Sequence, residues 1–255
     1  MAIAPPDLVL DIGNSRTKAA LFRDGSLLRH GVLDNHDRRV LETWITDVRP
    51  ARVALASTGE EHPALTALVH ELAPVTRITG ESPSPLGMAY TTPHTLGTDR
   101  LANAVAAWRM FPQRASIAMD LGTCITYDVV DEGGTYRGGA ISPGLRLRAE
   151  AMHERTARLP LVEVSSMPAL LGTDTTGALL SGTYHGILAE LLGYMGGCRQ
   201  QWPNMAVVLT GGDAPLFVAA LGTRIFADPL LTLRGLHALL EHQHTSGIDA
   251  AGIGR

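Results

Sequence analysis

An internal repeat constrains this chain more than any other feature. Leu8-Val9-Leu10-Asp11-Ile12-Gly13-Asn14-Ser15-Arg16-Thr17 recurs as Ile117-Ala118-Met119-Asp120-Leu121-Gly122-Thr123-Cys124-Ile125-Thr126. Each copy is an apolar run, an Asp, an apolar residue, a Gly and a polar turn. Each then runs on into a β-rich segment, a turn (Asp24-Gly25 in the first, Asp131 to Gly134 in the second) and another strand-like run. The 255 residues therefore read as two related halves, 1–114 and 115–255, and a 45% apolar content is enough to bury a sizeable core.

Between these landmarks strands and helices alternate. The first half continues with a helix-period stretch (Val40, Leu41, Trp44, Ile45, Val48), a β-like run from Arg52 to Ser57, a helix on Leu65, Leu68, Val69 and Leu72, and a short strand from Val75 to Thr79. The second half adds a helix after Pro143-Gly144, a long helix from Thr176 to about Tyr194, a strand from Ala206 to Leu209, and a last helix after Pro229. Ser82 to Pro85 reads as a loop and the tail after His244 as a poorly ordered end. This pattern predicts an α/β protein in which each half is a mixed β-sheet flanked by helices, with the ligand in the crevice between the halves.

Composition excludes several functional classes. The formal net charge is −4 and the Lys and Arg residues are scattered, which gives no support to a nucleic-acid or anionic-membrane surface. No apolar run approaches the ~20 residues of a membrane span, and Met1 to Pro6 lacks the regions of a signal peptide. A cytoplasmic protein with a small-molecule partner is the expectation. Cys124 and Cys198 form no C-x-x-C pair and read as two ordinary buried thiols. The ten histidines contain no H-E-x-x-H spacing, and neither a Walker A loop nor G-x-S-x-G occurs.

An Asp at the end of an apolar strand, followed by a Gly turn, suits a nucleotide site. The carboxylate can hold Mg²⁺ through water, and the Gly lets backbone N–H groups approach phosphate oxygens. Asn14, Ser15, Thr17 and Lys18 supply polar groups in the first copy, Thr123 and Thr126 in the second. Gly97-Thr98-Asp99-Arg100 precedes the helical pattern Leu101, Val105, Trp108. Two readings of it stand on that segment alone: a helix cap, for which Asp and Thr are common, and a carboxylate beside a guanidinium fork that accepts a hydroxyl proton and grips an acidic substrate. Gly138 to Gly144 and Thr210-Gly211-Gly212-Asp213 are small-residue turns suited to close ligand approach, the latter to the base or ribose of a nucleotide.

Taken together, Asp11-Ile12-Gly13-Asn14, Gly97-x-Asp99-Arg100, Asp120-x-Gly122-Thr123 and Ile141-x-Pro143-Gly144 resemble, in order and spacing, the type III pantothenate kinases of the acetate and sugar kinase, Hsp70 and actin superfamily. The resemblance covers nearly the whole chain and ends at Pro229 to Leu236. It implies two duplicated ribonuclease H-like (actin-like ATPase) halves with the active site in the cleft between them, and ATP-dependent phosphorylation of pantothenate in coenzyme A synthesis.

The same resemblance assigns residues. Asp11, Ile12, Gly13, Asn14, Ser15, Arg16, Thr17 and Lys18 form the first phosphate loop and Thr123 belongs to the second, around ATP, with Asp11 holding Mg²⁺ through water. Asp120 ligates a monovalent cation, K⁺ or NH₄⁺. Tyr90, Gly97, Thr98, Asp99 and Arg100 bind pantothenate, with Asp99 as the catalytic base, and Thr175 reaches substrate from the partner subunit of a homodimer. Ser15 stands where the family has Thr, Cys124 and Ile125 where it has Ala and Thr, and Thr92 where it has Asn. Two rivals share the fold: an iron-sulfur activator ATPase, and a regulatory binding protein without catalysis.

Overall fold

The computed structural model describes residues 4–13, 16–34, 42–44, 49–57 and 63–247. Much of the helix expected at 40–48 and the tail from 248 lie outside these residues; Glu42 to Trp44 are helical.

Strands β1 (Asp7–Ile12), β2 (Arg16–Arg23), β3 (Ser26–Asp34), β4 (Arg52–Ser57) and β5 (Val75–Arg77) form one sheet, ordered β3-β2-β1-β4-β5. Strands β6 (Gly87–Met88), β7 (Ser116–Leu121), β8 (Cys124–Val130), β9 (Thr135–Pro143), β10 (Ala206–Thr210) and β11 (Phe226–Ala227) form a second, ordered β11-β10-β7-β8-β9-β6. Taken from its other end, the run β9-β8-β7-β10-β11 repeats the first sheet strand for strand. The directions agree too: β1 and β7 each pair antiparallel with the following strand and parallel with β4 or β10. Even the irregularity recurs, with a register shift between β2 and β3 at Leu21/Phe22 and between β8 and β9 at Val129/Val130.

The repeat in the sequence has a direct physical origin in burial. β1 and β7 are central strands covered on both faces, so they are continuous apolar runs rather than alternating ones. In both six-residue strands every residue is buried except the penultimate one, which is Asp11 in β1 and Asp120 in β7.

Helices α1 (Pro63–Leu72), α2 (Thr98–Met110), α3 (Leu145–Glu154), α4 (Thr175–Gln201), α5 (Ala214–Leu221) and α6 (Leu231–Thr245) complete the chain. α4 runs past the expected end near Tyr194 despite Gly193, Gly196 and Gly197. Leu191 and Met195 are buried in the core under β7, β8 and β10, and this packing outweighs roughly 1 kcal/mol of helix propensity lost per glycine.

The chain forms two compact units. The first comprises Met1–Gly87, Thr91–Ala106 and Leu231–Arg255; the second comprises Met88–Tyr90 and Ala107–Leu230. Division by packing thus differs from a single boundary after residue 114, because α6 returns to the first unit. It packs on β1, β2 and β4 with Leu233, Leu236, Leu239 and Leu240 buried. Asp7 anchors this return: Arg52 pairs with its carboxylate, His237 Nε2 lies 3.1 Å from Asp7 Oδ2, and the His237 ring stacks on Phe22 at 4.4 Å.

Candidate active site

The β1–β2 turn and the start of α2 lie in the first unit. Asp11 lies opposite Lys18 of β2 and Ala56 of β4, at the carboxyl end of β1, where open α/β sheets receive ligands. Ile12 is 2% exposed and part of the core, so only its backbone is open to a ligand. Gly13 is half-buried, Thr17 is buried and Lys18 exposed; Asn14, Ser15 and the Arg16 side chain lie outside the described residues.

Gly97 caps α2, since its carbonyl accepts from Leu101 N–H at 3.1 Å. Asp99 is therefore inside the first turn rather than at the cap, and its Oδ1 accepts from Arg100 N–H at 2.9 Å. A Cβ on residue 97 would stand 2.5 Å from Asp99 Oδ1, so the carboxylate can fold back there only over a glycine. One oxygen of the half-buried Asp99 carboxylate thus takes a backbone amide left over at the helix start. Thr98 is half-buried, and Arg100 is buried at 6% exposure, under the helix start rather than open to solvent. α2 is tied to α6 by Thr232 Oγ1, which donates to Asn103 Oδ1 at 2.9 Å in the interior.

The Gly122-Thr123 turn lies in the second unit. Asp120 lies opposite Thr126 of β8 and Thr210 of β10. Two loops close on the turn from its sides. Gly144 N–H donates to Thr123 O at 2.9 Å, and Asp213 N–H donates to Leu121 O at 3.0 Å. Gly211, at φ +95°, carries the second loop against Leu121 where a Cβ would collide with the backbone. Thr123 is exposed and Thr126 half-buried. Ile125, at 1% exposure, points into the core, so the missing hydroxyl at this position is lost from the interior face of the sheet. Cys124 is exposed and Cys198 half-buried, against the expectation of two buried thiols, because Cys124 opens β8 just beyond the turn.

Tyr90 lies half-buried with its ring over Gly138, 3.4 Å from where a Cβ would be, and 5.8 Å from the Tyr136 ring. Thr175 is exposed as the first residue of α4, whose N-cap Asp174 accepts from Gly177 N–H at 2.8 Å. A cavity of about 440 Å³ is bounded by Leu145, Arg146, Glu163, Val164 and Asp213. Burial pushes the Asp213 carboxyl above its usual range.

The sequence pattern of the family described as type III pantothenate kinase matches residues 7–196, a span that holds both aspartate turns and the Gly97-Arg100 segment. The chain belongs to the type III pantothenate kinase family. A type III pantothenate kinase of Bacteroides fragilis is 39% identical over 241 residues, 93% of this chain and 98% of its own. One from Flavobacterium johnsoniae is 36% identical over 238 residues, 92% of this chain and 98% of its own. Among solved structures, a Campylobacter jejuni protein of the Baf family superposes with a TM-score of 0.58 at 18% identity, covering 93% of this chain and 99% of that one. A glucokinase from an Antarctic psychrotroph does so with a TM-score of 0.50 at 14% identity, again covering 93% and 99%. These likenesses show the fold, one shared with a sugar kinase.

One constellation of this type III pantothenate kinase was missed by sequence reading. Glu190 of α4 accepts from Tyr127 Oη at 2.7 Å and Ser142 Oγ at 2.5 Å on Oε1, while Arg148 pairs with Oε2. Burial opposes ionisation of Glu190, but the hydrogen bonds from Ser142, Tyr127 and Arg148 outweigh it and hold the carboxyl below its usual range. Burial first, then the Glu190 carboxylate, raises the Tyr127 phenol far above the ordinary tyrosine value. These residues are 42 to 63 positions from Glu190, and no local spacing announces them.

Proposed function

We propose that this chain transfers the terminal phosphoryl group of ATP to the primary hydroxyl of pantothenate, giving 4'-phosphopantothenate, the first step of coenzyme A synthesis. The observation that carries this reading is the family match across residues 7–196. It spans both aspartate turns and the Gly97-Arg100 segment, which disfavours a regulatory homologue without catalysis.

Phosphoryl transfer asks a protein mainly for alignment and charge neutralisation. The backbone and hydroxyls of residues 11–18, together with Thr123, hold the phosphates. Asp99 Oδ2 takes the hydroxyl proton and aims the oxygen, while Tyr90, Gly97, Thr98 and Arg100 hold the rest of pantothenate. The cavity beside Asp213 has room for the nucleoside of ATP. Asp11 and Asp120 are half-buried carboxylates at strand ends, and Asp120 Oδ1 lies 3.8 Å from the Cβ position of Gly122. Hard oxygen donors of this kind fit hard cations, so Asp11 would hold Mg²⁺ through water and Asp120 would hold K⁺ or NH₄⁺. Bound there, the ions would neutralise charge on the phosphates.

The reading includes a homodimer in which Thr175 contacts substrate from the second subunit. It also includes a cytoplasmic location, supported by two cysteines that are free thiols. Among the described residues no helix is long and apolar enough to cross a membrane.

A coupled assay of ADP release tests the assignment. ADP formation should require both pantothenate and K⁺ or NH₄⁺, and Asp99→Asn should cut kcat by about 10²- to 10⁴-fold while leaving ATP binding nearly unchanged. ADP formation indifferent to pantothenate would point to another acceptor. Wild-type turnover in the Asp99 variant would remove it as the base.

A further inference from the structure

The Glu190 cluster has a geometric connection to the second phosphate turn that no role assigned so far uses. Ser142 and Pro143 are the last residues of β9, and both are held: Ser142 by its hydroxyl to Glu190 Oε1, Pro143 by its carbonyl, which accepts from Arg148 Nε at 2.7 Å. The same guanidinium pairs with Glu190 Oε2. One carboxylate therefore fixes two consecutive residues, directly and through a fork whose second donor it orients. The next residue is Gly144, whose N–H meets Thr123 O at 2.9 Å and whose Cα lies so close to the turn that a Cβ would collide with Gly122 O and stand 2.8 Å from Thr123 O. Register pairs Cys124–Pro143 and Ile125–Ser142 carry the same stretch along the strand that leaves the turn.

We propose that Glu190 is a positioning residue for the Gly122-Thr123 turn, acting through Ser142, Arg148 and Gly144 to set where that turn meets the phosphates of ATP. This rests on the reading of Thr123 as a phosphate contact. Glu190 itself touches no substrate in the scheme; it sets the height of the Ser142-Pro143-Gly144 passage against which the turn is built. A cluster that only stabilised the unit would couple to folding alone, whereas this one runs from α4 to the turn through hydrogen bonds and the covalent Ser142-Pro143-Gly144 backbone.

Tyr127 provides an internal control. Its hydroxyl and that of Ser142 donate to the same Oε1, but Tyr127 sits mid-strand in β8 and Ser142 leads directly into Gly144. Four variants of the full chain, Glu190→Gln, Ser142→Ala, Tyr127→Phe and Thr123→Val, are compared by steady-state kinetics in ATP and in pantothenate, with thermal unfolding run in parallel. Ser142→Ala and Glu190→Gln should raise the KM for ATP by about 5- to 20-fold and leave the KM for pantothenate unchanged, and Ser142→Thr should restore it. Tyr127→Phe should lower Tm yet keep the KM for ATP within about twofold of wild type.

Equal effects of Ser142→Ala and Tyr127→Phe, each tracking its loss of Tm, would reduce the cluster to a structural role and overturn the inference. So would an unchanged KM for ATP in Ser142→Ala, the mild variant that decides the matter should Glu190→Gln not fold. An unchanged KM for ATP in Thr123→Val would bring the inference down for a different reason, by removing the phosphate contact beneath it.

Discussion

Gly144 shows what a single methyl group would do to the site. A Cβ there would meet the carbonyl oxygens of Gly122 and Thr123, both backbone atoms that cannot rotate away. Gly144→Ala must therefore displace the turn or the start of α3, at about 1–3 kcal/mol for overpacking. We expect urea unfolding to report that loss and kcat/KM for ATP to fall by roughly tenfold or more. An alanine variant with wild-type kinetics would mean that the turn tolerates displacement. In the sequence, position 144 was visible as the end of the small-residue run Gly138 to Gly144 and of the motif Ile141-x-Pro143-Gly144. The atoms that exclude a side chain there were not visible, because they come from residues 122 and 123 in the turn between β7 and β8. Asp99 was more legible, since its neighbours on the chain are also its neighbours in space: Gly97 makes room for the carboxylate and Arg100 N–H binds it. Glu190 was illegible for the opposite reason, all three of its partners lying on other elements.

Among the elements, α6 is tied to β1 and β4 through Asp7. Burial opposes the ionisation of Asp7, but hydrogen bonds from His237 and Arg52, and the charge of both, outweigh it and lower its pKa. The unfolded value is about 3.9, so between the folded and unfolded values the unfolded chain holds more protons at this site. The stability contributed by Asp7 is accordingly complete above its unfolded pKa and disappears as pH falls through the lower, folded one. Asp7→Asn should cost about 2–4 kcal/mol at neutral pH, somewhat less than for a fully buried pair because the Arg52 side chain keeps 26% exposure. Urea unfolding of wild type and variant across pH 2 to 7 should show the difference between them shrinking below about pH 4. A difference that stayed constant to pH 2 would show that Asp7 titrates alike in the folded and unfolded chain, and that His237 and Arg52 do not hold its carboxyl below the usual range. The sequence announced a last helix after Pro229, yet a helical stretch carries no address, and the sheet it covers is made by residues some 180 to 230 positions earlier.

For the whole molecule the consequence is that the first unit cannot be completed until the last helix has been made. Leu231, Leu233, Leu236, Leu239 and Leu240 are all nearly excluded from solvent. At about 1.5–3 kcal/mol for each leucine, their burial is worth roughly 8–15 kcal/mol, comparable to the typical net stability of a domain, about 5–15 kcal/mol. Among the described residues, the core under β7, β8 and β10 is drawn from residues between Ala115 and Ile225 and includes none of α6. A chain ending at Leu230 should therefore lose hydrogen-exchange protection in β1, β2 and β4, with β7, β8 and β10 still slow to exchange. It should also lose kinase activity, because α2, which carries Asp99, is held to α6 by the Thr232–Asn103 bond. Intact protection of β1 in the truncated chain would show that the first sheet is stable without its helical cover. Loss of protection throughout would show instead that the two units unfold as one, and that neither copy of the repeat is a folding unit by itself.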